Sequence, residues 1–192
     1  MRVVLAAVLG GVVMFAWGAF SHMVLNLEKD TIKQVPNEPA VVAAMKSNIT
    51  ADGVYAIPGI EMNRQLSAEE MNAWAAKYKE GPTAMVFYNT TGEDVFTPKQ
   101  FAVQFGADVL ASLFGAVILF FAATSFGRGI VISVLIGLAG WCALLIPYWN
   151  WYRFSWEFVR MDLLDQAAGW LLAGLVMAWL LRSRQQSAFS SQ

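Results

Sequence analysis

The chain has 192 residues, 57% hydrophobic and 14% charged, with a formal net charge of −1 and a mean hydropathy of +0.49. That length suits one domain or one small membrane bundle, and a charge content far below the roughly 25% of soluble domains excludes an ordinary water-soluble fold along the whole chain. A near-neutral balance also excludes nucleic acid as a partner, which needs a basic face, and the single cysteine, Cys142, excludes an internal disulfide or a cysteine metal cage.

A helix needs roughly 20 apolar residues to cross a bilayer. The first such run is Val3–Leu25, which carries no formal charge and one histidine, His22. Ala19-Phe20-Ser21 resembles a signal-peptide cleavage site behind a weakly charged start at Arg2. The apolar stretch continues past Ser21 and is longer than a signal core, so an uncleaved membrane helix is expected.

A polar insert follows, over residues 26–100. Asn37-Glu38-Pro39 starts a helix that continues through Ala40–Lys46. Gly53–Ile57 reads as a strand ended by Pro58-Gly59. Ser67-Ala68-Glu69-Glu70 matches a capping box, in which the serine accepts from the Glu70 amide and the glutamate reaches back. The helix it opens is stopped by Gly81-Pro82, with Met71, Trp74, Ala75 and Tyr78 on one face. Ala84–Tyr88 reads as a second strand. Thr97-Pro98 caps the next membrane helix, with proline at the first position, where no amide partner is lost. Trp74, Tyr55, Ile57, Val86 and Phe87 are the expected core of this α+β element. Two strands alone are marginal in water, so the insert is expected to rest on the membrane helices or on a partner.

Three further apolar runs complete the bundle: Phe101–Ala123 with Asp108, the uncharged Ile130–Ile146, and Leu163–Leu181 with Asp165 near its start. Backbone groups in lipid must be satisfied internally, so each is read as a helix. Between the last two runs, Pro147–Arg160 is half aromatic. Tyr148, Trp149, Trp151, Tyr152 and Trp156 read as an interfacial belt, ring buried and polar atom wet. A lipid, quinone or pigment contact and a carbohydrate platform are the sharper alternatives.

Arg2, Arg128, Arg182 and Arg184 mark one side of the bundle, which holds no acidic residue. The positive-inside rule places that side, and both termini, in the cytoplasm. The expected fold is an all-α membrane protein of four transmembrane helices with a small α+β extracytoplasmic insert between helices 1 and 2. Its parts are helix 1 at 1–25, the periplasmic insert at 26–100, and helices 2–4 at 101–192, with an aromatic interfacial segment at 147–162.

Ionisable residues at membrane depth are costly and turn inward. His22 shares a helical stripe with Gly11, Phe15 and Gly18, a pattern that marks a helix–helix contact. Gln104, Asp108 and Ser112 are spaced four apart on helix 2, and Asp162, Asp165 and Gln166 share a face of helix 4 with Gly169. One polar cluster of His22, Gln104, Asp108, Asp162 and Asp165 is therefore expected. It suits hydrogen bonding that fixes helix register, proton or solute movement, or a metal or cofactor. No HExxH, CxxC, GxGxxG, Walker A or GxSxG pattern is present, so no catalytic residue and no metal ligand set is assigned and the cofactor stays open.

Gly-Val-Tyr-Ala-Ile-Pro-Gly at 53–59, Tyr-Trp-Asn-Trp-Tyr at 148–152 and Asp-Gln-Ala-Ala-Gly-Trp-Leu-Leu-Ala-Gly-Leu at 165–175 resemble a group of small four-helix bacterial inner-membrane proteins with no assigned activity. The resemblance implies a bacterial inner-membrane setting and no mechanism. The expected role is a non-enzymatic accessory or partner-binding subunit. Its partners would be the lipid bilayer and a membrane protein or a second copy of the chain. The rivals are an oligomeric transporter or channel, and a membrane cofactor or metal binder using His22, Asp108 and Asp165.

Overall fold

The computed structural model describes residues 1–27, 29–61 and 63–189, and side chains as far as Arg182. Arg184, one of the four arginines used for orientation, lies outside the described side chains. In chain order the elements are α1 (Arg2–Met23), α2 (Glu38–Asn48), β1 (Gly53–Ile57), α3 (Ala68–Glu80), β2 (Ala84–Tyr88), α4 (Pro98–Ala122), α5 (Phe126–Tyr152) and α6 (Trp156–Phe189). The chain is 69% helical. Four helices are long and apolar enough to cross a membrane: α1, α4, α5 and the Trp156–Arg182 part of α6. By contact the chain divides into a helical unit (Met1–Ile32, Val95–Asn150 and Phe154 onward) and an insert unit (Lys33–Asp94 with Trp151–Arg153).

The helical unit is assembled on glycines. A Cβ on Gly11 of α1 would stand 2.6 Å from the Val109 Cα of α4, so the two backbones touch there. On α6, Gly174 packs against Ser133 of α5, and Trp170 lies against Gly137 of α5 and Gly115 of α4. Small residues at these crossings let helices approach closely where lipid supplies no hydrophobic drive. Ala6, Ala7, Ala116, Leu119, Trp170, Ala173, Met177 and Ala178 fill the core. The buried hydroxyls are bonded: Ser21 donates to the Gly18 carbonyl (3.2 Å) and Ser133 to the Gly129 carbonyl (3.0 Å).

The helix ends follow from local chemistry. After α1, Asn26 takes φ 52°, the left-handed region that asparagine tolerates best among residues with a side chain. At α4, Thr97 Oγ1 accepts from the Gln100 amide and Gln100 Oε1 accepts from the Thr97 amide (3.2 and 2.8 Å), a capping box in front of Pro98. Gln100 is the half of that box absent from the sequence reading.

The aromatic segment at 147–162 is not a separate element. α5 continues through Pro147 to Tyr152, and α6 begins at Trp156. Tyr148, Trp149, Trp151 and Tyr152 therefore form the last turns of one helix, and Trp156 opens the next. A proline inside a helix removes its own amide bond and crowds the carbonyl four residues back, a loss that long apolar helices tolerate where neighbouring groups and local adjustment make it up. The break falls instead on Arg153, at φ 63°. Ser155 Oγ then accepts from the Phe158 amide (3.2 Å) to start α6. Trp141 Nε1 donates to the Val159 carbonyl (2.9 Å), tying α5 to α6 near this turn.

In the insert unit, β1 and β2 pair antiparallel from Gly53↔Tyr88 to Ile57↔Ala84, with α3 between them in sequence. Ser67 Oγ accepts from the Glu70 amide and Glu70 Oε2 accepts from the Ser67 amide, the expected capping box. Arg64 holds the same carboxylate through two guanidinium nitrogens, at 2.7 and 3.1 Å. Thr90 donates twice to Asp52 Oδ1 at 2.7 Å, closing the open end of the strand pair.

The expected insert core needs correction. Tyr55, Val86 and Trp74 are half-buried, and Trp74 Nε1 donates to the Pro58 carbonyl (3.2 Å). Ile57 and Phe87 are 49% and 66% exposed. Strand alternation explains Phe87: it pairs with Val54 on the sheet face opposite Tyr55 and Val86.

Candidate functional site

The expected polar residues line one cavity of about 400 Å³ within the helical unit. Its walls come from the C-terminal end of α1, the N-terminal half of α4 and the N-terminal half of α6, with Leu27 and Phe96 from the adjoining loops. His22, Gln104, Asp108, Asp162 and Asp165 all line it, and so does Gln166.

His22 of α1 and Asp165 of α6 meet across the cavity lining, with Nε2 at 3.7 Å from Oδ2. That is ion-pair range and longer than a hydrogen bond. His22 has a side chain 45% exposed, and Asp165 is 18% exposed. Asp165 Oδ1 is buried and has no hydrogen-bond partner among the described residues. On α4, Gln104 Nε2 donates to Asp108 Oδ1 (3.0 Å), one turn apart on a single face. His22 and Asp165 thus meet directly, while Asp108 bonds within its own helix and shares the cavity with them.

The stripe His22–Gly18–Phe15–Gly11 divides its work. Gly11 is a contact, packed on the α4 backbone. Gly18 is not: a Cβ there would meet nothing within 4 Å, and the residue lines the cavity. The expected helix contact at Gly18 is corrected accordingly. α1 crosses α4 at the level of Gly11, and the opening lies further along α1.

The apolar wall went unnoticed in the sequence. Trp17 Nε1 donates to the Asp165 carbonyl (3.2 Å), which ties α1 to α6 and sets the indole in place. Phe15 meets Phe101 edge-on (6.4 Å between centroids, 79°), and Phe96 stacks on Phe101 (6.2 Å, 23°). The signal available was spacing alone: Phe15, Gly18 and His22 recur at three and four residues. Spacing cannot distinguish a ring facing a cavity from one facing lipid.

Among the described residues, no three His, Cys, Asp or Glu side chains converge as metal ligands. Polar and aromatic side chains share the lining, and the volume is within the range of small-molecule sites. Trp149 and Trp156 meet edge-on, 5.5 Å between centroids at 60°, and each is nearly half exposed.

No protein family, curated protein or solved structure matches this chain.

Proposed function

We propose that this chain is a non-enzymatic accessory subunit of a bacterial inner membrane that binds a small molecule in the cavity between α1, α4 and α6. The observation that carries the reading is the cavity itself. About 400 Å³ is left open in a small bundle, and the polar side chains of three helices border it. A cleft of this size, bordered by a few polar groups among apolar and aromatic side chains, has the make-up of a small-molecule site. In this reading both termini are cytoplasmic, and the insert and cavity face the periplasm. Arg2 at the start of α1, Arg128 in the first turn of α5 and Arg182 at the end of the apolar part of α6 support that orientation.

The test is occupancy. The chain is purified in mild detergent and bound small molecules are detected by native mass spectrometry, beside a Gly18→Leu variant. A side chain at Gly18 enters open space, so the variant should keep the fold and fill the cavity. A bound mass present in the unaltered protein and absent from Gly18→Leu supports the reading. A bound mass that survives Gly18→Leu overturns it.

A further inference from the structure

Resting on the reading of this cavity as a binding site, we infer that its ligand is an organic cation, an ammonium group carried on an apolar or aromatic body. Three carboxylates line the cavity, Asp108, Asp162 and Asp165, against a single histidine, His22, and no lysine or arginine lines it among the described residues. Carboxylates sharing one space disfavour one another, and a bound cation relieves that repulsion. An anion would add to the repulsion.

Asp165 and Asp108 have capacity to spare. Asp165 Oδ1 is buried without a hydrogen-bond partner, and Oδ2 has His22 only at 3.7 Å. A buried carboxylate oxygen left open is an acceptor awaiting a donor. Asp108 takes one bond from Gln104 at Oδ1, and a carboxylate accepts several. An ammonium group supplies up to three donors in compact form.

Size and walls select the rest of the ligand. No three ligating side chains converge on a point among the described residues, so the acceptors are spread around the space and do not form a cage for a bare ion. A volume of about 400 Å³ suits a body of many atoms. Phe15, Phe101 and Trp17 line it, and aromatic faces attract a cation while covering its apolar part. The Trp17 bond to the Asp165 carbonyl ties ring and carboxylate into one assembly. Gly18 keeps the space open, since a Cβ there meets nothing.

A free amine and an amine-bearing lipid headgroup share this chemistry. The test is calorimetric titration of the full chain in a non-ionic detergent with 2-phenylethylammonium, its neutral isostere 2-phenylethanol, and phenylacetate. The amine should bind at least about tenfold more tightly than the alcohol, phenylacetate should not bind, and Asp108→Asn and Asp165→Asn should each weaken the amine by about tenfold or more, as expected for charge-assisted bonds. Gly18→Leu should abolish binding. The comparison of amine with alcohol on the unaltered protein stands even where an Asn variant fails to fold. If the alcohol or phenylacetate binds as well as the amine and Gly18→Leu removes it, the site stands and the cation is overturned. If no probe binds and no mass is lost on Gly18→Leu, the binding site itself is overturned. Competition by phosphatidylethanolamine identifies the source as a lipid headgroup, and its failure to compete identifies a free amine.

Discussion

His22 on α1 and Asp165 on α6 face each other with Nε2 and Oδ2 3.7 Å apart, at the edge of a cavity and not within a packed core. The distance exceeds a hydrogen bond, and the histidine is nearly half exposed. A pair at this separation, with one partner nearly half exposed, belongs with the weak ion pairs, at about 0–1 kcal/mol. His22→Gln should therefore change unfolding stability in detergent by less than about 1 kcal/mol. A loss of several kcal/mol would show a dry, tightly coupled pair and would remove His22 from the cavity edge.

Two glycines on one stripe of α1 should respond in opposite ways. A Cβ on Gly11 collides with the Val109 backbone at 2.6 Å, and backbone cannot swing aside. Gly11→Ala should cost about 1–3 kcal/mol, the usual penalty of overpacking. Gly18→Ala meets nothing and should be neutral, or stabilising by up to about 1 kcal/mol through helix propensity. Thermal unfolding of the two variants side by side reads the difference. Equal losses would mean that α1 and α4 do not cross at Gly11.

The insert should be acid-sensitive through Glu70. The Arg64 guanidinium, with the Ser67 amide behind it, holds the Glu70 carboxyl from its ordinary 4.5 down to about 2. The folded value lies below the unfolded one, so the stabilisation is complete above about pH 4.5 and is lost as pH falls from there toward 2. Asp52 adds in the same direction, because the Thr90 amide and hydroxyl hold its carboxyl below the usual range. Denaturant midpoints followed by Trp fluorescence should fall over that window. Glu70→Gln with Asp52→Asn should flatten the fall. An unchanged slope would assign the acid response to other groups.

The orientation is testable with single cysteines on a Cys142→Ala background. Ser67 begins α3 of the insert, and Ser125 lies in the turn between α4 and α5. In intact cells a membrane-impermeant thiol reagent should label Ser67→Cys. Ser125→Cys should be labelled only after permeabilisation. The reverse pattern would turn the protein over and place the cavity on the cytoplasmic side.

What the sequence determined by itself is the set of elements whose signals are local. The strands at Gly53–Ile57 and Ala84–Tyr88 end where the residues indicate, and the Ser67 and Thr97 caps sit where hydroxyls precede helical runs. A cap is decided by bonds to a residue three positions away, and the strand ends fall beside local breakers, Pro58-Gly59 after the first and Gly81-Pro82 before the second, so neither signal needs a distant partner to be seen. The polar stripes were legible for a related reason. The spacing that put His22, Asp108 and Asp165 on polar stripes is local, and all three are among the residues lining one cavity. What only the tertiary structure decided depends on where helices cross. Gly11 and Gly18 carry the same sequence signal, yet α4 reaches one and leaves the other open. Phe15 and Phe101 read as any lipid-facing phenylalanine until α1 and α4 bring them edge to face. Helix packing in a membrane is set by shape, not by hydrophobicity, because lipid is as apolar as the side chains. For that reason the apolar pattern of this chain specifies its four helices but leaves unstated which faces meet and where they leave a cavity.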